Sequence, residues 1–176
     1  MSIYKADGSN GSLIPRLNFT DIGYDLKRVL DKMLTNDTLV KLLYYNDSNV
    51  SAKPNLTNAQ KVALIGDYIK IVPRLPKDIE VKNYIVIQMD RFTPGESDDT
   101  RFKSFILSFD ILCHSDNWVM DDYMLRPFKI MQELDAMFNM SKLHSLGPIN
   151  FVSANQLVIN EDLMGYSLYY SVYELQ

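Results

Sequence analysis

Few side chains in this chain combine the type and the spacing that chemistry requires. Cys113 and His114 are adjacent, and a thiol beside an imidazole can serve as nucleophile and base. They close an apolar run, Phe102 to Cys113, whose alternation predicts a strand. Neighbouring strand residues point to opposite faces, so His114 is badly placed to activate the sulfur next to it. The pattern predicts a core cysteine beside a surface histidine. His144 is a second possible partner for Cys113, but nothing in the sequence brings the two together. Two histidines and one cysteine without paired spacing do not make a zinc site. Of the carboxylate doublets, Asp98-Asp99 falls in a loop that would hold a divalent cation only weakly. Asp121-Asp122 more simply caps a helix and favours its positive end. There is no phosphate-cradling glycine loop, no G-x-S-x-G and no H-E-x-x-H. We expect no catalytic residue, no metal and no cofactor.

The elements that would position these groups read as one α+β domain. Residues 1–19, with Gly8, Gly11 and Pro15, show no period and are expected to form a flexible N-terminal arm. Ile14, Leu17 and Phe19 give that arm something to order against a neighbouring subunit. Residues 20–176 form the domain. A helix begins at Thr20 or Asp21, with Ile22, Leu26, Val29, Leu30, Met33 and Leu34 on its apolar face and Asp25, Lys27, Arg28 and Asp31 largely opposite. Asn36 or Asp37 caps a continuation through Leu39, Leu42 and Leu43. A loop runs from Tyr45 to Asn58, which caps a short helix ended by Gly66, and Tyr68–Val72 can form a short strand. Asn83–Phe92 and Phe102–Cys113 predict a long central hairpin. A helix capped by Asp121 or Asp122 follows, regular only from about Arg126 because of Pro127, with Leu125, Phe128, Met131, Leu134, Met137 and Phe138 as its apolar face. Ile149–Ser153 and Gln156–Ile159 read as two strands joined by a turn at Ala154-Asn155, before a last strand over Gly165–Leu175. The expected fold is an antiparallel sheet packed against N-terminal and central helices.

Bulk properties narrow the function classes. The chain has 176 residues, 47% of them hydrophobic and 23% charged, which suits a single globular domain. A net charge of −4 disfavours non-specific nucleic-acid binding, yet it suits the wall of a passage through which DNA slides. One cysteine cannot make an intramolecular disulfide, and neither an apolar leader nor an 18-residue apolar run is present. A cytoplasmically made protein without a membrane partner is expected. The Asn-x-Ser/Thr triplets, at Asn10, Asn18, Asn36, Asn46, Asn49, Asn55 and Asn139, are then idle.

Several residues suit contacts between subunits. Trp118, the only tryptophan, either plugs the core edge or anchors an interface. Arg126 either pairs locally with Asp121 and Asp122 or reaches another subunit. The charged hairpin tip, holding Arg91, Pro94, Glu96, Asp98, Asp99 and Arg101, is either a solvated loop or an arm onto a neighbour. Tyrosines alternate through both faces of the last strand, Tyr169 and Tyr173 on one of them, which suggests that another sheet or subunit covers a side.

The block Phe105-Ile-Leu-Ser-Phe-Asp-Ile-Leu-Cys-His, Trp118-Val and Leu125-Arg-Pro-Phe-Lys-Ile-Met-Gln-Glu-Leu-Asp135 resembles neck and tail-completion proteins of tailed bacteriophages, of the kind found in crAss-like phages. The motif covers about a quarter of the chain. The resemblance implies a tail-terminator-like α+β subunit, one of six or twelve in a ring at the head–tail junction. Such a ring meets portal, neck or tail proteins and lets DNA pass without specific binding. It implies a virion protein assembled in the host cytoplasm, with no catalytic residues to carry over. Two other readings remain at this stage, a monomeric adaptor or host-directed binding protein using the Trp118 region, and a small Cys/His-dependent enzyme.

Overall fold

Apolar residues recur at helical spacing before residue 45 and again over 126–138, and at strand spacing over 83–94, 103–113 and 146–174, and the fold follows that division. The structure, a computed structural model, describes residues 19–72, 80–94, 103–142 and 146–174. Three helices come first: α1 (Phe19–Thr35), α2 (Asp37–Tyr44) and α3 (Asn58–Ala63). Next are β1 (Ile69–Lys70), β2 (Asn83–Pro94) and β3 (Lys103–His114), then α4 (Arg126–Phe138), β4 (Leu146–Val158) and β5 (Leu163–Glu174). The sheet order is β1-β2-β3-β5-β4. Every pairing is antiparallel except β1 with β2, which is parallel. The α+β class and the central hairpin are as the sequence predicts, and the parallel edge pair is an addition to it.

Sheet register sorts the side chains. Ile85, Ile87 and Met89 of β2, Phe105 to Cys113 in alternation on β3, and Leu168, Tyr170 and Val172 of β5 share one face. That face packs under α1, α2 and α4 around Val29, Met33, Leu39, Leu43, Ile130, Leu134 and Phe138. Phe109 stacks on Phe138 with ring centroids 5.0 Å apart. The opposite face has a smaller apolar cluster built from strand residues alone, with Tyr84, Leu112 and Leu163 at its centre. Beside it runs a polar row in which Asp110 accepts from Gln88 at 2.8 Å and from Ser167 at 2.5 Å. The central strand is therefore firmly packed on one side and lightly on the other, as its mixed alternation suggests. Glycine is required at position 165, since a Cβ there would overlap the backbone carbonyl of Ile111 on β3.

Capping settles several boundaries. Asn36 separates α1 from α2, accepting from the Leu39 N–H at 2.9 Å and donating to Glu133 of α4 at 2.8 Å. Thr57, rather than Asn58, caps α3, in a reciprocal box with Gln60. Gly66 follows with φ of 87°, a conformation that favours glycine.

Other expectations are corrected. Asp25, assigned to the polar face of α1, is 1% exposed and accepts from Arg28 at 2.8 Å. The strand expected over Tyr68–Val72 shrinks to Ile69–Lys70. The helix cap expected from Asp121 or Asp122 is absent: α4 starts at Arg126 behind Leu125, with no side-chain cap and with Pro127 in the first turn. Asp122 instead accepts from the Met124 N–H at 3.1 Å and pairs with Lys129, while Asp121 accepts from Ser48. The two strands expected over residues 149–159 are one, β4, because Ala154 and Asn155 pair directly with Leu168 and Ser167. A register shift between Phe151 and Ser153 absorbs one extra residue, Val152, and the expected turn at Ala154-Asn155 is regular strand.

Candidate functional site

Cys113 and His114 do not form a reactive pair. Cys113 is fully buried on the helix-covered face, and burial pushes its thiol up to about 12, against a smaller opposing pull from the Arg126 charge. His114 points to the other face and is buried rather than at the surface as expected; its Nδ1 accepts from the Asp116 N–H at 3.2 Å. His144 lies outside the described residues. Among the described residues, no three His, Cys, Asp or Glu side chains converge as metal ligands do.

Arg126 needs the largest correction among the interface candidates. Its side chain is 0% exposed and cannot meet another subunit, nor does it pair with Asp121 or Asp122. It donates instead to backbone carbonyls. Nε reaches Asn117 at 2.8 Å, Nη1 reaches Leu42 and Tyr45 at 2.8 Å each, and Nη2 reaches Asp47 at 2.6 Å and Asn46 at 3.4 Å. Leu42 and Tyr45 lie at the end of α2, where helix carbonyls lack intrahelical donors and the helix dipole favours a cation. Asn83 also donates to the Leu42 carbonyl, and Asn117 donates to Asn46 at 2.9 Å. The guanidinium therefore fastens the α2 terminus, the loop after it and the start of α4 together.

The surface that remains available lies at the other side of α4. A groove of about 380 Å³ runs between α4 and β4, lined by Phe128, Met131, Gln132, Asp135, Asn139, Phe151, Ala154 and Leu168. Phe128 is 42% exposed and Phe151 45%, although both carry rings that a core would normally take. Phe128 leans on Tyr166, with ring centroids 5.2 Å apart, and Phe151 meets Tyr170 edge-on at 5.8 Å. Asp135 is fixed at the rim, accepting from the Tyr170 hydroxyl at 3.1 Å and from Asn139 at 3.4 Å. Beside the groove β4 forms one edge of the sheet, and no charged residue occurs from Leu146 to Ile159. Edge strands normally carry charges or prolines that discourage further pairing, and β4 has only Pro148 near its start and its register shifts.

Sequence reasoning placed Phe128 in the core, where it is instead well exposed, and so missed this groove; Met131 is partly buried and packs against the core while also lining the groove. The buried stripe of α4 is Arg126, Pro127, Ile130, Leu134 and Phe138, about one residue round from the face read from hydrophobicity alone. The signal was the i, i+4 series from Arg126, concealed because arginine is rarely buried. The remaining candidates fall as follows. Trp118 is half-buried and packs against the main core, in keeping with a plug. Arg91 is exposed at φ of 53°, where the β2–β3 register shifts. Pro94 ends β2, and Glu96, Asp98, Asp99 and Arg101 lie outside the described residues. Tyr169 and Tyr173 share the lightly packed sheet face, Tyr173 being 52% exposed.

These features define a class: an α+β domain whose buried cation serves its own backbone and whose apolar groove opens beside a strand that, among the described residues, ends the sheet. The YomW family model matches residues 36–172, from the α1–α2 junction into β5, and the chain belongs to that family, one of phage-type proteins. A search of curated proteins gives no significant match. Among the described residues, no helix is long and apolar enough to cross a membrane.

Proposed function

We propose that this chain is a structural virion protein of a tailed phage. Six or twelve copies form a ring at the head–tail junction, joining portal or connector to the tail and lining the DNA passage. The observation that carries this reading is the pair of unlike open edges on one sheet. β4 is uncharged along its length, and on the other side β1 covers only Ile85 and Val86, so that among the described residues Ile87 to Pro94 has no strand beyond it. Two different edges allow head-to-tail addition, which closes into a ring where the rotation permits. Membership of a phage-type family supports a virion role, and the net charge of −4 suits a wall past which DNA slides.

The adaptor reading also has an observation in its favour. Tyr123 is 90% exposed at φ of 59°, next to Met124 and close to Val119, and forms an apolar tip of the kind that docks on one partner. Light scattering with negative-stain imaging separates the two. A closed ring of six or twelve copies is expected, and an Asn155→Lys variant is expected to dissociate it without changing the circular dichroism. A strict monomer at high concentration rejects the ring and favours the adaptor.

A further inference from the structure

The groove between α4 and β4 is apolar on its floor and carries one charge, the carboxylate of Asp135. Among the described residues the hydrogen-bond partners of that carboxylate are Tyr170 and Asn139, both neutral. A ligand matching this surface is a short apolar peptide with a cation next to its apolar residues. Residues 1–18 precede α1 and contain such a peptide, Leu13-Ile14-Pro15-Arg16-Leu17. We propose that the groove receives this segment from a second copy of the chain.

Three considerations fit the segment to the groove. Pro15 has no N–H to leave unpaired and biases the residue before it toward an extended backbone, which suits a groove lined by side chains. Charge is complementary, since Lys5 and Arg16 outnumber Asp7 in the first 18 residues, while the domain they would contact is acidic. The volume, about 380 Å³, lies toward the lower end of the roughly 300–1,000 Å³ usual for ligand pockets and suits two or three aliphatic side chains.

The position of α1 favours a neighbour's groove over the chain's own. Its C-terminal end meets α4, with Lys32 Nζ 5.3 Å from the Phe138 ring centroid and Asn36 bonded to Glu133. Phe19 begins the helix 13 residues before Lys32, roughly 20 Å away along the axis at 1.5 Å per residue. The segment thus joins the helix at the end remote from that contact. Leu13 to Leu17 lie two to six residues before Phe19, so the segment reaches roughly 7–20 Å from the start of α1, which suits a groove presented by a subunit adjoining that end. This deepens the assembly reading by naming what fills the surface, and arm exchange needs no particular copy number.

Two variants of the full chain, each with one added cysteine, test it. Leu17→Cys marks the segment and Ala154→Cys marks the groove at an exposed position, while native Cys113 is buried and its thiol is held protonated. Mixed and mildly oxidised, the two proteins are expected to give a cross-linked dimer that neither gives alone and that Phe128→Asp in the Ala154→Cys partner reduces at least tenfold. The proposal is overturned if the mixture gives no dimer, if Ala154→Cys alone links as well, or if a chain carrying both Leu17→Cys and Ala154→Cys links only within itself. If the mixture links and the native protein forms no ring, arm exchange stands and the ring reading falls. A ring whose mixed variants never link leaves the ring reading and rejects the arm.

Discussion

The two sides of α4 use their side chains in opposite ways. On one side Arg126 is buried with five donors aimed at five carbonyl oxygens. On the other, Phe128 and Phe151 are large apolar rings left nearly half exposed around a groove. The residue that looks fit for contact with others is committed to the chain's own backbone, and residues that look fit for the core are left available. A guanidinium can be buried when every donor is matched, and here the carbonyls at the end of α2 match it. Among the described residues the two rings lean on Tyr166 and Tyr170 and are otherwise left nearly half exposed, and it is on this side of α4 that we propose a partner docks.

The sharpest way to break this comparison is to remove the guanidinium. Arg126→Met retains volume but leaves the carbonyls of Leu42, Tyr45, Asn46, Asp47 and Asn117 without these donors. The expected loss is about 3–5 kcal/mol in urea denaturation, in the range for breaking a buried charged network. Lys129→Met, which removes only the outer ion pair with Asp122, is expected to cost about 0–1 kcal/mol. If Arg126→Met costs no more than Lys129→Met, Arg126 does not secure the junction.

That arginine also marks the boundary of what the sequence made legible. The long hairpin, the terminal strand and the Asn36 cap could be read because each rests on local spacing or a local cap. The burial of Arg126 depends on carbonyls about 80 residues earlier in the chain, and no local pattern encodes that. Reading it as a surface residue turned α4 on its axis and hid the groove. The apparent break at Ala154-Asn155 was lost in the same way, since the register that keeps β4 continuous is set by β5. Asp25 is a smaller instance, a carboxylate assigned to solvent because its helix alone does not show what packs over it.

A pH series sharpens the picture of the buried side. Burial raises the Cys113 thiol from an ordinary value of 9.0 to about 12. Between those values the unfolded chain has lost the thiol proton and the folded chain has kept it. Stability from this group is therefore unaffected below about pH 9 and falls as pH rises toward 12. Cys113→Ala, whatever its cost at neutral pH, is expected to lose less stability than the native chain over that alkaline interval. Equal alkaline losses would show that the thiol is not sealed in the way its burial implies.

The smallest expected change in stability is the most informative about the groove. Phe138→Ala opens a cavity beside Phe109 and is expected to cost about 3–5 kcal/mol. Phe128→Ala, ten residues earlier on the same helix, removes a ring already open to solvent and is expected to shift the unfolding midpoint by less than about 1 kcal/mol. Its effect is expected in assembly, as a several-fold weaker association of the full chain in sedimentation at unchanged circular dichroism. A Phe128→Ala protein that unfolds early would mean the ring supports the fold from the groove wall. One that is both stable and fully assembled would mean the groove is not where copies meet. Only unchanged stability with weakened association leaves α4 with one side spent on the fold and the other on a partner.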